Sequence, residues 1–280
     1  MIKIDGNTKL TGLIGWPLSH TLSPLMQNAA FAARKINAVY LPFAVPEKAL
    51  ADFLSVIRQS NFLGLNVTIP YKTLVQKYLD EISPQAREIG SVNTIVVSRK
   101  KLIGYNTDAF GFHQALKSAR INVRGKKILV IGCGGVANAI VWVLANQKAR
   151  QVLLTDKIQK RALDLRKKYP EISSVINSGP SPETLADIDG VINASPVGMQ
   201  KNDPMPVNLD SVARNIFVYD VIYNHETALI RYGRQRGWLS VGGLTMLLYQ
   251  GTRAFQLWTG KNAPEKVMKK ILEKELRVRR

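Results

Sequence analysis

A glycine-rich loop between a buried strand and a helix constrains the fold of this chain more than any other feature. Residues 126–131, KKILVI, read as a buried strand, and the loop GCGGVA that follows fits the fingerprint G-x-G-x-x-G/A. Glycines permit a tight turn, and the N-terminus of the next helix offers unpaired N–H groups to a pyrophosphate. The loop predicts a dinucleotide site, and the alternative is a purely structural strand–helix turn. The predicted cofactor contacts are Gly132, Gly134, Gly135, Val136 and Ala137.

The strand predicted over residues 151–155 ends at an acidic residue, Asp156. In this fold a carboxylate at that place accepts hydrogen bonds from the ribose hydroxyls of NAD and repels the 2′-phosphate of NADP. Lys157 is the counter-argument, because a neighbouring cation can help to hold that phosphate. The sequence therefore predicts NAD as the favoured cofactor and NADP as the alternative. Cys133, inside the loop, is interpreted as a packing residue rather than a nucleophile, since no histidine is nearby in sequence.

The apolar run 128–145 raises the question of a membrane span, because Asn138 is its one clearly polar residue. Three glycines interrupt the run, so a strand, a turn and a buried helix explain it better than a lipid-spanning helix. The first residues lack the apolar core of a signal peptide, and the chain has a single cysteine and no paired Cys/His spacing. We expect a cytoplasmic protein without a metal site or a membrane partner.

Short β-like runs alternate with helix-like stretches through most of the sequence, which predicts an α/β fold with crossover helices. The predicted strands lie near residues 11–14, 39–44, 63–68 and 126–131, and near Val152, Val191 and Val218. The predicted helices follow Ser23, Pro46 and Pro70, and another begins near Gly242. We predict two α/β domains, a substrate domain (1–108 plus 242–280) and an inserted Rossmann-type dinucleotide-binding domain (109–241).

The net charge of +19 is unusual for a metabolic enzyme and raises the possibility of nucleic-acid binding. The charges are spread along the chain, and no nucleic-acid-binding module is recognisable. The densest segment, 261–280, carries eight Lys/Arg and is interpreted as an amphipathic helix with a solvated face. We therefore expect a small-molecule partner and no nucleic acid, in a monomer or a homodimer.

Several oxygen- and nitrogen-rich motifs follow predicted strands in the first part of the chain. They are GWPLSHTLSP (15–24), NVTIPYK (66–72), GSVNT (90–94) and GYNTD (104–108). Later motifs are NASPVGM (193–199), Tyr223-Asn224, GLTM (243–246) with Gln250, and LWTG (257–260). This ordered set resembles the shikimate dehydrogenase family from end to end.

The resemblance implies a dehydrogenase that interconverts shikimate and 3-dehydroshikimate, with quinate and 3-dehydroquinate as a candidate second pair. It also implies that the C-terminal helices return to the N-terminal domain. Lys72 and Asp108 would form the catalytic pair. The implied substrate contacts are Thr21, Ser23, Asn66, Thr68, Asn93, Tyr223 and Gln250, and further cofactor contacts are Ser195 and Gly243. Hydride loss from a ring alcohol needs an acid/base group and a cation near the developing alkoxide, which a lysine beside a carboxylate supplies. Taken singly, Lys72 is more simply interpreted as a surface lysine and Asp108 as a helix-capping aspartate.

Four residues depart from the family pattern. Thr21 replaces a serine, Ala109 a glycine, His225 a proline and Thr245 a glycine. The loop GCGGVANA (132–139), Asp156 and the altered segment GLTM (243–246) resemble the NAD-linked quinate/shikimate branch more than the NADP-linked biosynthetic branch. The competing hypothesis is a sensor or repressor-like protein that keeps the fold without catalysis.

Overall fold

The computed structural model describes residues 4–18, 21–177 and 179–279. The chain forms two compact units, one of Met1–Gly111 with Leu248–Arg280 and one of Phe112–Leu247. Both contain sheets and helices, which confirms the two-domain α/β class. The predicted domain limits stay a prediction, because a compact grouping of residues does not test independent folding.

The strands form one sheet in each unit. In chain order they are β1 (Lys9–Gly15), β2 (Ala38–Ala44), β3 (Phe62–Val67), β4 (Glu81–Ile82), β5 (Thr94–Ser98), β6 (Lys101–Tyr105), β7 (Lys127–Ile131), β8 (Gln151–Thr155), β9 (Ser173–Val175), β10 (Gly190–Asn193), β11 (Phe217–Asp220) and β12 (Leu239–Gly242). All the predicted strands are present.

The helices connect and cover these sheets. They are α1 (Ser23–Ala33), α2 (Leu50–Gln59), α3 (Pro84–Ile89), α4 (Asp108–Ser118), α5 (Gly135–Asn146), α6 (Gln159–Lys168), α7 (Pro182–Ala186), α8 (Ala228–Gln235), α9 (Leu244–Thr259) and α10 (Glu265–Arg279). None of the helices within the described ranges is long and apolar enough to cross a membrane.

The sheet of the first unit is mixed, with the order β2-β1-β3-β5-β6-β4 over the described residues. β1 runs parallel to β2 and β3, whereas β5 is antiparallel to both β3 and β6. β1, β3 and β6 therefore end at the same edge of the sheet, and β5 begins there. The polar motifs of the sequence follow these strand ends, so the topology brings them to one edge.

One predicted helix of this unit is wrong. After Pro70 the chain makes a turn and a short 3-10 helix, Leu74–Tyr78, instead of an α-helix. The carbonyl oxygen of Lys72 accepts a hydrogen bond from the backbone N–H of Val92 at 2.8 Å. This backbone bond to a neighbouring segment replaces the bond that a continuing helix would need.

The C-terminal helix α9 packs on the sheet of the first unit. The indole Nε1 of Trp258 donates a hydrogen bond to the carbonyl oxygen of Ile95 at 3.0 Å. A Cβ atom at Gly64 would lie 2.5 Å from that Nε1, so only glycine lets strand and helix approach this closely. In α10, Met268 and Leu272 are buried and the lysines lie outside, as an amphipathic helix requires.

The second unit holds an all-parallel sheet with the order β12-β11-β10-β7-β8-β9 among the described strands. This is the order of a doubly wound dinucleotide-binding fold, in which ligands bind outside the carboxyl ends of the strands. Leu129 and its strand partner Val191 lie on one face of this sheet, Val130 and its partner Ile192 lie on the other, and all four side chains are buried. Burial on both faces explains the nearly continuous apolar runs in the sequence.

Candidate active site

Lys72 and Asp108 form an ion pair at the polar edge of the first unit. Lys72 Nζ lies 2.6 Å from Asp108 Oδ2, and the two side chains are 15% and 7% exposed. Asp108 is the first residue of α4, but the capping bond there comes from Asn106, whose Oδ1 accepts from the N–H of Ala109 at 3.1 Å. The simpler interpretations, a surface lysine and a capping aspartate, are therefore wrong. A pair this far from solvent interacts more strongly than an exposed one.

Asn93 lies immediately before β5 and is hydrogen-bonded to Thr107, the residue that precedes Asp108. Its Oδ1 accepts hydrogen bonds from the N–H of Thr107 at 2.7 Å and from the hydroxyls of Thr107 and Thr94, each at 3.1 Å. These donors fix the orientation of the amide and tie Asn93 to the residue before Asp108. Its Nδ2 has no hydrogen-bond partner among the described residues, so both N–H donors are available to a ligand.

Asn66, by contrast, is mostly engaged inside the unit. Its Nδ2 donates to the carbonyl oxygen of Asn93 at 3.2 Å and to the hydroxyl of Thr94 at 3.0 Å, and its Oδ1 accepts from Tyr40 at 2.9 Å. One lone pair on Oδ1 remains for a ligand. Tyr40 and Thr94 were not singled out in the sequence, because a tyrosine and a threonine in strands are ordinary β-sheet residues.

Thr21 and Ser23 lie at the start of α1. The helix begins at Ser23 itself, and Leu22 takes the N-cap position without a side-chain bond. The hydroxyl of Thr21 instead accepts from the N–H of Ser23 at 3.2 Å. Within the described ranges, the hydroxyls of Ser23 and Thr68 have no hydrogen-bond partner. Ser19 and His20 of the same motif lie outside the described residues.

The remaining predicted substrate contacts come from two different elements. Gln250 is a buried residue of α9 and belongs to the first unit. Tyr223 and His225 follow β11 in the second unit, where both are half-buried.

The glycine loop of the second unit has the backbone that the fingerprint requires. Gly132 has a φ of +89°, and a Cβ atom there would lie 2.8 Å from the backbone nitrogen of Ser195. α5 begins directly after the N-cap residue Gly134, which has no side chain to satisfy the first N–H groups of the helix. These N–H groups and the helix dipole suit a pyrophosphate. Ala137 is fully buried, as close packing of helix and strand demands.

Asp156 touches the glycine loop directly, a contact that the sequence did not predict. Its Oδ2 accepts a hydrogen bond from the N–H of Cys133 at 2.6 Å, and its Oδ1 accepts from Ile158 at 2.8 Å. Lys157 next to it is exposed. Burial raises the pKa of Cys133 to about 12, with a further contribution from the charge of Asp156. Cys133 is therefore a packing residue, as predicted, and not a thiolate nucleophile.

A second buried network links the loops after β10 and β11. Asp220 Oδ1 accepts from Asn193 Nδ2 at 3.1 Å, and Asp220 Oδ2 accepts from the hydroxyl of Thr227 at 2.8 Å. Asn193 Oδ1 in turn accepts from the hydroxyl of Ser195 at 2.7 Å. Burial raises the pKa of Asp220 to about 6, against the lowering effect of its hydrogen bonds. A signal for this network existed in the sequence, because Asn193 and Asp220 are polar residues that end apolar runs.

The loop after β11 also reaches Gly243. The N–H of Gly243 donates to the carbonyl oxygen of Ile222 at 3.0 Å, and a Cβ atom at this position would lie 2.1 Å from the carbonyl oxygen of Val221. Glycine is therefore required here by the approach of a neighbouring backbone. No group of three or more potential metal ligands occurs within the part of the chain that the structure describes.

Three family models match the chain in the order of its elements. The shikimate dehydrogenase substrate binding domain matches residues 13–95, shikimate / quinate 5-dehydrogenase matches 114–199, and the shikimate 5′-dehydrogenase C-terminal domain matches 243–273. A relative from Carboxydothermus hydrogenoformans, named shikimate dehydrogenase (NADP(+)), is 43% identical over 277 residues, which cover 97% of this chain and 99% of the relative. The chain belongs to the shikimate dehydrogenase family.

Solved members of the shikimate dehydrogenase family have the same fold. The enzyme from Aquifex aeolicus matches with a TM-score of 0.89 and 36% identity, covering 96% of this chain and 99% of its own. The enzyme from Listeria monocytogenes, solved in complex with shikimate and NAD, matches with a TM-score of 0.86 and 33% identity, covering 96% and 98% of the two chains. The resemblance inferred from the motifs is confirmed.

A nicotinamide dinucleotide is the cofactor class of this shikimate dehydrogenase family member, in agreement with its Rossmann-type sheet. The choice between the two dinucleotides is not common to the whole family. Curated relatives of this chain are named for NADP(+), whereas the Listeria structure contains NAD. The preference of this chain for NAD or NADP therefore has to be inferred from its own residues at the expected position of the adenine ribose.

Proposed function

We propose that this protein is a shikimate dehydrogenase that interconverts shikimate and 3-dehydroshikimate with a nicotinamide dinucleotide. The observation that carries the proposal is the Lys72–Asp108 pair, 2.6 Å apart and largely buried at the edge where three strands end. A sensor that had lost catalysis would have no need to keep a desolvated charge pair, which is costly to bury. The intact pair and the intact glycine loop together favour the enzyme.

A bound nicotinamide would supply the hydride acceptor in the oxidation direction. The substrate hydroxyl must lose its proton as the hydride leaves, and the Lys72–Asp108 pair receives that proton. Lys72 also offers a positively charged N–H donor to the developing alkoxide, while Asp108 fixes the direction of the lysine side chain. In ketone reduction the same pair returns the proton.

The donors around the pair suit a polyhydroxylated ring acid. We assign Asn93 Nδ2 and the hydroxyl of Thr68 to ring hydroxyls, because both groups lack a partner among the described residues. We assign the substrate carboxylate to Thr21 and Ser23, since the N-terminus of α1 adds backbone N–H groups and a favourable dipole.

We further propose NAD as the preferred cofactor, with NADP as the alternative. The support is Asp156, whose carboxylate lies against the glycine loop and would meet a 2′-phosphate with like charge. The names of the curated relatives favour NADP(+) instead, and Lys157 is a cation next to the carboxylate. Lysine lacks the planar fork that makes arginine a good phosphate clamp, so we expect it to weaken the preference without reversing it.

The test is a four-way initial-rate assay that pairs shikimate or quinate with NAD+ or NADP+. We expect turnover of shikimate and a higher kcat/KM with NAD+. Turnover of neither acid with either dinucleotide would contradict the dehydrogenase. A preference for NADP+ by tenfold or more, about 1.4 kcal/mol of transition-state discrimination, would contradict the cofactor assignment alone.

A further inference from the structure

The strand order of the second unit divides the carboxyl edge of its sheet into two halves. The order β12-β11-β10-β7-β8-β9 reverses between β7 and β10, and a fold of this kind binds one mononucleotide over each half. Asp156, at the place expected for the adenine ribose, follows β8. The loop 194–199 follows β10, so it lies over the other half, where the nicotinamide mononucleotide is expected. This loop lies against the glycine loop, because a Cβ atom at Gly132 would lie 2.8 Å from the backbone nitrogen of Ser195.

Asn193, the last residue of β10, fixes the beginning of this loop. It is fully buried, and its Oδ1 accepts from the N–H of Ser195 at 3.1 Å and from the hydroxyl of Ser195 at 2.7 Å. Its Nδ2 donates to the carbonyl oxygen of Val197 at 2.9 Å and to Asp220 Oδ1 at 3.1 Å. Since a carbonyl oxygen can only accept, the two donors of the amide face Val197 and its oxygen faces Ser195. Both donors and both lone pairs of this side chain are therefore engaged, and three of the four bonds hold the turn 194–197.

These bonds determine what Ser195 offers to a ligand. Its hydroxyl hydrogen is directed at Asn193 Oδ1, and its Oγ accepts from the N–H of Val197 at 3.2 Å. The hydrogen bonds among the described residues use one of the two lone pairs of this oxygen, and the second remains for a ligand. Ser195 is only half-buried. It therefore meets a ligand as a hydrogen-bond acceptor and not as a donor, which suits a hydroxyl or an N–H group and excludes a phosphate oxygen.

We propose that Asn193 is a positioning residue of the nicotinamide half of the dinucleotide site, and that it presents Ser195 Oγ as an acceptor to the nicotinamide nucleoside. This role rests on the dinucleotide dehydrogenase proposed above. The ribose hydroxyls and the carboxamide N–H groups of that nucleoside are the donors that such an oxygen can bind. Asn193 is buried and does not touch the ligand. It keeps the turn 194–197 ordered beforehand, so that the ordering cost is not incurred when the dinucleotide binds.

Two substitutions separate the acceptor from the residue that orients it. Ser195→Ala removes the acceptor, and Asn193→Ala removes the orienting amide. Asn193→Ala also leaves buried groups without a partner and is expected to lower the melting temperature, whereas Ser195→Ala removes a half-buried hydroxyl and is expected to fold normally. Asn208→Ala is the matched control. Asn208 is an exposed asparagine of the same unit whose Oδ1 accepts from the N–H of Asp210 at 2.8 Å, two residues further on, as Asn193 does from Ser195.

Titration calorimetry compares NAD+ and NADP+ with ADP, which carries the adenosine and the pyrophosphate but no nicotinamide half. We expect Ser195→Ala and Asn193→Ala to raise the Kd of the dinucleotides by about fivefold or more, the effect of one lost hydrogen bond, and to leave the Kd of ADP within about twofold. The amide hydrogens of Ser195 and Val197 should exchange faster in Asn193→Ala. Asn208→Ala should resemble the parent in each measurement.

An analogue of NAD+ identifies the donor on the ligand. In 3-acetylpyridine adenine dinucleotide a methyl ketone replaces the carboxamide, so the N–H donors are absent and the ribose hydroxyls remain. If Ser195→Ala weakens the binding of NAD+ but not of this analogue, the donor is the carboxamide. If it weakens both equally, the donor is a ribose hydroxyl.

Three results would overturn the assignment. A parental Kd of the dinucleotides in Ser195→Ala would show that Oγ accepts nothing from the ligand. Equal weakening of ADP and of the dinucleotides would make Asn193 and Ser195 supports of the glycine loop alone. Parental exchange at Ser195 and Val197 in Asn193→Ala would show that the asparagine does not hold the turn. A parent that binds neither dinucleotide contradicts the proposed function instead, and the exchange data still decide whether Asn193 fixes the turn.

Discussion

Two glycines of the dinucleotide loop, Gly132 and Gly134, are expected to affect the protein differently when each is replaced by alanine. At Gly132 the φ of +89° disfavours any side chain, and the new Cβ would lie 2.8 Å from the backbone of Ser195. At Gly134 the φ is −80°, which alanine adopts easily, and no atom lies within 4 Å of the new Cβ. We therefore expect the fold to need glycine at position 132, and the bound dinucleotide to need glycine at position 134.

The magnitudes follow from these two environments. In Gly132→Ala, backbone strain of about 1–2 kcal/mol adds to an overlap of about 1–3 kcal/mol, because a backbone neighbour cannot swing away as a side chain can. A loss of ~3 kcal/mol lowers the melting temperature by about 6–12 °C in a chain of this size. In Gly134→Ala, the weaker N-cap costs ~1 kcal/mol or less. The fingerprint instead needs Gly134 for close approach of the pyrophosphate, so its Kd for the dinucleotide should rise at least about tenfold.

The assay combines thermal unfolding of the unliganded variants with calorimetric titration of NAD+ and NADP+. A Gly134→Ala protein that melts like the parent but binds either dinucleotide weakly is the expected result. A Gly134→Ala protein with parental affinity would show that the pyrophosphate does not approach this part of the loop. A Gly132→Ala protein with a parental melting temperature would refute the steric argument at Ser195.

Four further outcomes are expected. Lys72→Met and Asp108→Asn should each fold and lower kcat by at least ~100-fold, the lower end for lost acid/base catalysis, and near-parental turnover in either would disprove the pair. Thr21→Ser should change the ratio of kcat/KM for shikimate and quinate by removing a methyl group at the start of α1, whereas an unchanged ratio excludes Thr21 from specificity. Asp156→Asn should raise kcat/KM with NADP+ and lower it with NAD+, and a ratio that stays constant contradicts the charge argument. Because burial raises the pKa of Asp220 to about 6 from 3.8, the parent should lose stability relative to Asp220→Asn as the pH rises through this interval. The slope should be ~1.4 kcal/mol per pH unit, and denaturation curves whose difference is independent of pH would exclude the shift.

The second unit could be predicted from the sequence because its strands are buried on both faces. KILVI, VLL, GVI and FVY stand out as short apolar runs, and the glycine loop marks where the first one ends. The same reasoning missed the hairpin of β5 and β6 in the first unit. Its turn is formed by Arg99 and Lys100, with φ of +48° and +62°, a conformation for which glycine or asparagine is the usual signal. Neither residue marks a turn in the sequence.

The missed hairpin is also why the geometry of the Lys72–Asp108 pair, proposed to be catalytic, could not be worked out from spacing alone. Lys72 follows β3 and Asp108 follows β6, and these strands come to point the same way only because antiparallel β5 lies between them. The motifs gave the identities of the two residues, whereas the pairing at 2.6 Å depends on a long-range strand order.

Asp156 has two functions in this chain, whereas the sequence rule predicts only one. The carboxylate is expected to bind the cofactor ribose, and it also holds backbone N–H groups of the glycine loop and the segment after β8. The rule connects a carboxylate at this position with the ribose of NAD, yet both of its oxygens already accept backbone N–H groups, from Cys133 and Ile158. Each oxygen keeps a lone pair for a ribose hydroxyl, so the two uses are compatible. They are not independent, because removing the carboxylate also releases the N–H of Cys133 inside the glycine loop. A serine at 156 is too short to reach that N–H in place of Oδ2, whereas asparagine keeps an acceptor of the same length. We therefore expect the choice between NAD and NADP to be coupled to the order of the glycine loop proposed to bind the pyrophosphate. A substitution that removes the charge at 156 tests that choice by itself only when the hydrogen bond to the N–H of Cys133 is retained.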